Sequence, residues 1–243
     1  MKLYVYCVAE HLKNFETSVS GIAEQEVQLL TIEGLVVPAS NFETEAIALT
    51  RENVLRHESI VRKVFAETTP LPFRFGTLIT KEALDSFIRS RLGALTDRLR
   101  AVRNSVEMSV KIIWPNLSER EQGNSDPGFD QSAMGPGAAY LISRREEFLG
   151  KQELAEEAKA IADWVGSRLN GFSRQHQVSV EPAQKIVLSG SYLIERQREP
   201  DFRAELGVMR AERPNLHFLL SGPWPPYTFA NIDLEFETHF GVS

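Results

Sequence analysis

The feature that most constrains the fold is a break in pattern near the middle of the chain. From Pro115 to Gly137 the sequence holds Pro115, Pro127 and Pro136 with Gly123, Gly128, Gly135 and Gly137, and few apolar residues. Proline removes backbone donors and glycine adds chain entropy, so such a stretch supports neither a ladder nor a helix. The periodic sequence on either side must therefore bury its apolar residues in two cores. The expected organisation is an N-terminal α+β domain over 1–114, a linker or loop over 115–137, and a second α+β domain over 138–243.

The first half opens with residues 2–9, β-branched and aromatic enough for a buried strand. Two short strands flank Glu33-Gly34. Thr50 caps a helix of about 17 residues whose buried face carries Val54, His57, Val61, Val64 and Phe65. Pro70 ends it. Residues 71–79 read as a strand, and Thr80 caps a helix that keeps apolar period from Leu84 to Val102. Alternation over 106–114 predicts a half-exposed strand.

In the second half a long helix over 138–169, with Gly150 as a candidate break, presents Ala158, Ile161, Ala162, Val165 and Leu169 on one face. Strands over 177–181 and 185–195, a helix over 199–211 and a strand over 216–221 follow. With strand 106–114 supplying the first position, this order matches the split βαβ pattern of ferredoxin-like folds. The fold class is α+β in two domains, the C-terminal one ferredoxin-like.

Composition narrows the function. The 243 residues are 42% hydrophobic and 25% charged, with a formal net charge of −6. A nucleic-acid binder needs a basic field to neutralise phosphates, and this chain lacks one. The start of the chain reads as a strand rather than a signal peptide, and no apolar run reaches membrane-span length. A reducing cytoplasm is the expected compartment, with no membrane partner. The single cysteine, Cys7, permits no intramolecular disulfide.

Catalytic patterns are absent. His57-Glu58 begins like a zinc-protease motif, but Val61 occupies the second histidine position. Cys7 lies in a strand with no local base, so a small buried hydrophobe is expected. No serine elbow and no phosphate-binding glycine loop occurs. The expectation is a binding protein rather than an enzyme, with no catalytic residue, metal or cofactor.

Two segments stand out. In Pro70-Leu71-Pro72-Phe73-Arg74-Phe75-Gly76-Thr77, Arg74 lies between two phenylalanines. A regular strand would point it away from both, either into an ion pair with Glu58 or toward a partner. The second segment, Leu219 to Phe229, ends a strand in a turn with three prolines that carries Trp224, Tyr227 and Phe229. Preset proline dihedrals lower the ordering cost of a docking surface. The aromatics could equally staple one domain to the other. Arg74, Trp224, Tyr227 and Phe229 are the candidate partner-binding residues.

These segments, with Tyr4-Val5-Tyr6, Val54-Leu55-Arg56-His57-Glu58 and Ala139-Tyr140-Leu141, give the chain a resemblance to the GvpL/GvpF family of gas vesicle proteins. The GvpF branch is preferred on chain length and layout. The resemblance implies a minor or accessory protein, without cofactor, that contacts the small hydrophobic shell subunit during gas vesicle assembly. Other vesicle accessory proteins are further expected partners. A component of the finished wall only, and a small-molecule enzyme on a ferredoxin-like scaffold, are the rival readings.

Overall fold

A computed structural model of the chain describes residues 2–15, 19–44, 46–113, 136–182, 186–230 and 232, without the side chains of 136–143, 145–148 and 150–151. The fold is mixed α and β in two compact units. One comprises Met1–Glu107 with Pro223–Ser243, the other Met108–Gly222. The stretch 115–137, except its last two residues, lies outside the described residues.

In the first unit, β1 (Lys2–Val5) pairs antiparallel with β4 (Leu35–Phe42) and with β6 (Leu78–Ile79). With β3 (Gln28–Ile32) they form a sheet of order β3-β4-β1-β6. The predicted strand over 2–9 is broken at Tyr6, beyond which β2 (Cys7–Val8) pairs with β5 (Leu71–Pro72). Tyr6 joins the two ladders through its backbone, donating to the Pro38 carbonyl at 3.1 Å and accepting from Phe73 N at 3.0 Å. Between β3 and β4, Glu33 (φ 50°) and Gly34 (φ 81°) both adopt positive φ. That geometry matches the right-handed twist of a two-residue hairpin.

Helix α1 (Arg51–Glu67) is capped by Thr50, whose hydroxyl accepts from Asn53 N at 3.2 Å. Its inner face is His57, Ile60, Val61, Val64 and Phe65. Burying each of the four apolar residues there contributes roughly 1.5–3 kcal/mol. Val54, predicted for that face, is instead 40% exposed. The predicted long helix over 81–102 is two, α2 (Lys81–Ser90) and α3 (Leu92–Val102). Arg91, at φ −117° and ψ 13°, leaves helical geometry between them. The predicted strand over 71–79 also divides into β5 and β6, separated by a turn at Gly76 (φ 87°).

Strand β7 (Ser105–Ile113) is buried at Ser105, Val106, Glu107 and Met108 alike, so it is covered on both faces there, while from Met108 to Ile113 burial alternates as the half-exposed expectation has it. The chain enters the second unit within β7, after Glu107, and leaves it within β10 (His217–Trp224), after Gly222. Both crossings fall inside continuous strands, not in the proline- and glycine-rich stretch. A composition minimum marks where a chain cannot form ladders, which need not be where cores divide.

In the second unit, α4 (Pro136–Leu169) runs unbroken past Gly150 and buries Ala158, Ile161, Val165 and Leu169. Strands β8 (Ser173–Val180) and β9 (Ile186–Glu195) form an antiparallel hairpin, followed by α5 (Glu199–Glu212) and β10. The sheet order is β10-β7-β9-β8. Tyr192 of β9 meets Phe202 of α5 with ring centroids 5.6 Å apart. A Cβ at Gly190 would stand 2.7 Å from the Tyr192 ring, so glycine is required for that ring's position.

Candidate functional site

Four residues carry the functional expectation: Trp224 ends β10, Tyr227 and Phe229 follow it, and Arg74 lies elsewhere. Pro225 and Pro226 are buried, and residues 227–229 form a turn in which Phe229 N and Ala230 N donate to the Pro226 carbonyl at 3.1 and 2.7 Å. Prolines supply no donors, so the turn is fixed from outside by Glu107. Its Oε2 accepts from Thr228 N at 2.8 Å and its Oε1 from the Thr228 hydroxyl at 2.6 Å. Glu107 is only 6% exposed, and a carboxylate so placed requires the donors it receives. Residues 223–230 thus belong with the first unit, whereas the sequence assigned them to the second domain.

The turn presents its aromatics beside α1. Arg62 holds its guanidinium carbon 5.3 Å from the Trp224 ring centroid, within cation–π range. The same guanidinium pairs with Glu58 one turn earlier, at 2.6 Å. Leu55, Glu58 and Arg62 follow the i, i+3, i+7 spacing that places them on one helix face. Leu55 is 54% exposed. Trp224 and Phe229 are half-buried, and Tyr227 is 39% exposed. The Tyr227 phenol is held above its ordinary pKa, first by desolvation and next by the Glu58 carboxylate. Leu55 and Arg62 share one face of α1, and Arg62 joins that face to Trp224.

Arg74 stands apart from the expectation. Its side chain is exposed on the turn between β5 and β6, where its carbonyl accepts from Thr77 N at 3.2 Å and the Thr77 hydroxyl at 2.6 Å. Glu58 is held by Arg62, not by Arg74. The flanking rings divide: Phe73 is buried against Phe87, and half-buried Phe75 lies 6.0 Å from His57 and 6.3 Å from Tyr4.

His57 is a core residue. It is 5% exposed, and its Nδ1 lies 2.8 Å from the Tyr4 hydroxyl, which also accepts from Gly76 N at 3.2 Å. Burial pushes its pKa down to about 4, with a bond to the Phe73 backbone opposing the shift, so the ring is neutral at pH 7. Cys7 is fully buried, and desolvation raises its thiol far from the thiolate range.

The model of the family described as gas vesicle synthesis protein GvpL/GvpF matches residues 2–231. The chain belongs to this family. It is 24% identical to gas vesicle protein F1 of Halobacterium salinarum, over 98% of this chain and 97% of that one. It is 25% identical to gas vesicle protein L of a Streptomyces species, over 94% and 92%. The crystal structure of GvpF from Microcystis aeruginosa superposes with a TM-score of 0.76, covering 95% of this chain and 99% of that one at 20% identity. GvpF from Anabaena sp. PCC7120 gives 0.79, with 95% and 98% covered, also at 20% identity. At that identity the two structures establish the fold. Relatives of the F and L branches match this GvpL/GvpF chain alike. No helix among its described residues is long and apolar enough to cross a membrane.

Proposed function

We propose that the chain binds the hydrophobic shell subunit of the gas vesicle in the cytoplasm and supports assembly of the vesicle wall. The observation that carries this reading is the surface formed by the outer face of α1 and the proline-rich turn. There Leu55 and Tyr227 are exposed, Arg62 lies over half-buried Trp224, and Glu107 holds the turn in place. A wall that encloses gas needs subunits with apolar surface, and such surface aggregates in water before it polymerises. A preformed aromatic patch with a cationic centre can cover it at low ordering cost, since the prolines have already fixed the backbone. Arg74, exposed on the turn between β5 and β6, and half-buried Phe229 are proposed as further partner contacts.

The reading assigns no catalysis. The two residues nearest to catalytic patterns, Cys7 and His57, are both buried, and His57 is held neutral. The second unit is proposed to be ferredoxin-like. Its strands, numbered by appearance, run 4-1-3-2 across the sheet, with α4 and α5 as crossovers, which supports that assignment.

The test is capture of the purified shell subunit by the full chain, with a scrambled apolar peptide as control. Specific capture that the peptide does not compete supports the assembly role. Absence of capture with both proteins folded removes the shell subunit as partner.

A further inference from the structure

Strand β8 is the outer strand of the second unit's sheet, and among the described residues only β9 pairs with it. Alternate backbone N–H and C=O groups along its far side therefore have no strand partner among the described residues. Every residue from Arg174 to Val180 is exposed, those of both faces alike. The opposite edge of the same sheet is protected. In β10, Pro223 lacks a donor and Gly222 turns the backbone at φ 116°. Arg210 and Arg203 donate to the Phe218 and Gly222 carbonyls at 3.2 and 2.8 Å. Such features hinder strand addition. β8 has neither proline nor lysine, and its register irregularity is confined to the Ser173–Gln175 end.

One face of β8 is apolar where the rest of the sheet is buried. His176, Val178 and Val180 stand opposite Tyr192, Gly190 and Leu188, on the face where Tyr192 meets Phe202. Tyr192, Gly190 and Leu188 are buried, yet Val178 and Val180 are each 37% exposed. Ile186, two residues from Leu188 and so on the same face, is 36% exposed. The apolar layer of the core runs out to an open edge.

We propose that a second copy of the chain completes this edge, β8 pairing antiparallel with its own two-fold mate. The strand is nearly palindromic about His176: Ser173-Arg174-Gln175 is mirrored by Gln177-Val178-Ser179. A two-fold axis at His176 sets Gln175 opposite Gln177 and Arg174 opposite Val178. Amides meet amides, and no two arginines or carboxylates face each other. The contact is isologous and therefore closes at two copies. It joins two four-stranded sheets into one and sets Val178 of each copy beside Arg174 of the other. This inference is independent of the shell-subunit reading.

The test is sedimentation of the full chain across the micromolar range, with register read by cross-linking. Cys7 is the only cysteine and is fully buried, so an introduced thiol reports alone. The wild type is expected to sediment as a dimer and the Val178→Lys variant as a monomer with the circular dichroism of the wild type. His176→Cys, on the axis, is expected to form a covalent dimer under mild oxidation. Val180→Cys, on the order of 25 Å from its mate in this register, is expected to stay uncrosslinked. A wild type monomeric throughout the range overturns the proposal, as does a dimer indifferent to Val178→Lys. Cross-linking of Val180→Cys as readily as His176→Cys also overturns it.

Discussion

Glu107 and Thr228, 121 residues apart in sequence, are joined by two hydrogen bonds in which one carboxylate accepts both the backbone N–H and the hydroxyl. This contact holds the proline-rich turn to the first unit. Replacing Glu107 with Ala leaves both donors without their acceptor, at an expected cost of about 2–4 kcal/mol, given roughly 1.5–3 kcal/mol for a hydrogen bond to a charged group. Urea denaturation measures the loss. Glu107→Gln, which keeps one acceptor, is expected to lose less.

Arg62 is expected to act on the same turn from the other side. Arg62→Met keeps the aliphatic stem but removes the cation over Trp224 and the ion pair with Glu58. Both contacts are at the surface, so the expected destabilisation is below about 1 kcal/mol. A change in Trp224 fluorescence without a shift in the melting curve is the expected signature.

How much of this arrangement can be read from sequence depends on the range of the interaction. The N-cap of α1 is legible because Thr50 and Asn53 are three residues apart. The rigid turn is legible because proline acts on its own backbone. The anchor of that turn is not, since nothing local marks Glu107 as the partner of Thr228; an acidic residue between Val106 and Met108 in a strand is the only hint. Arg74 was a plausible mate for Glu58, but Arg62 at i+4 on the same helix reaches that carboxylate through local geometry. The break at Arg91 is invisible to apolar periodicity, because Leu84, Phe87, Ile88, Leu95, Leu99 and Val102 remain buried on both sides of it.

His57 makes stability depend on pH. Its pKa in the folded chain, about 4, lies below the ordinary value of 6.5, so the unfolded chain binds the proton more tightly. The contribution is complete above about pH 6.5 and is lost as pH falls toward 4, amounting to roughly 3 kcal/mol from a shift of this size. The melting temperature is expected to fall across that interval in the wild type and to fall less in His57→Gln. The variant is also less stable at pH 7, because the Tyr4 hydroxyl loses its partner.

In the second unit, the buried Tyr192 hydroxyl has no hydrogen-bond partner among the described residues. An orphaned buried hydroxyl costs about 1–3 kcal/mol. Tyr192→Phe is therefore expected to raise the melting temperature. Gly190→Ala forces a methyl into the Tyr192 ring and is expected to lower stability by roughly 1–3 kcal/mol.

The central claim is that the outer face of α1 and the proline-rich turn bind the vesicle shell subunit. Its most direct test compares the affinity of the full chain for that subunit with the affinity of a Trp224→Ala/Tyr227→Ala variant whose circular dichroism matches the wild type. The account predicts a loss on the order of tenfold or more, since removing two central aromatics from an interface costs upward of about 1.4 kcal/mol. Equal affinity in the folded variant would contradict it.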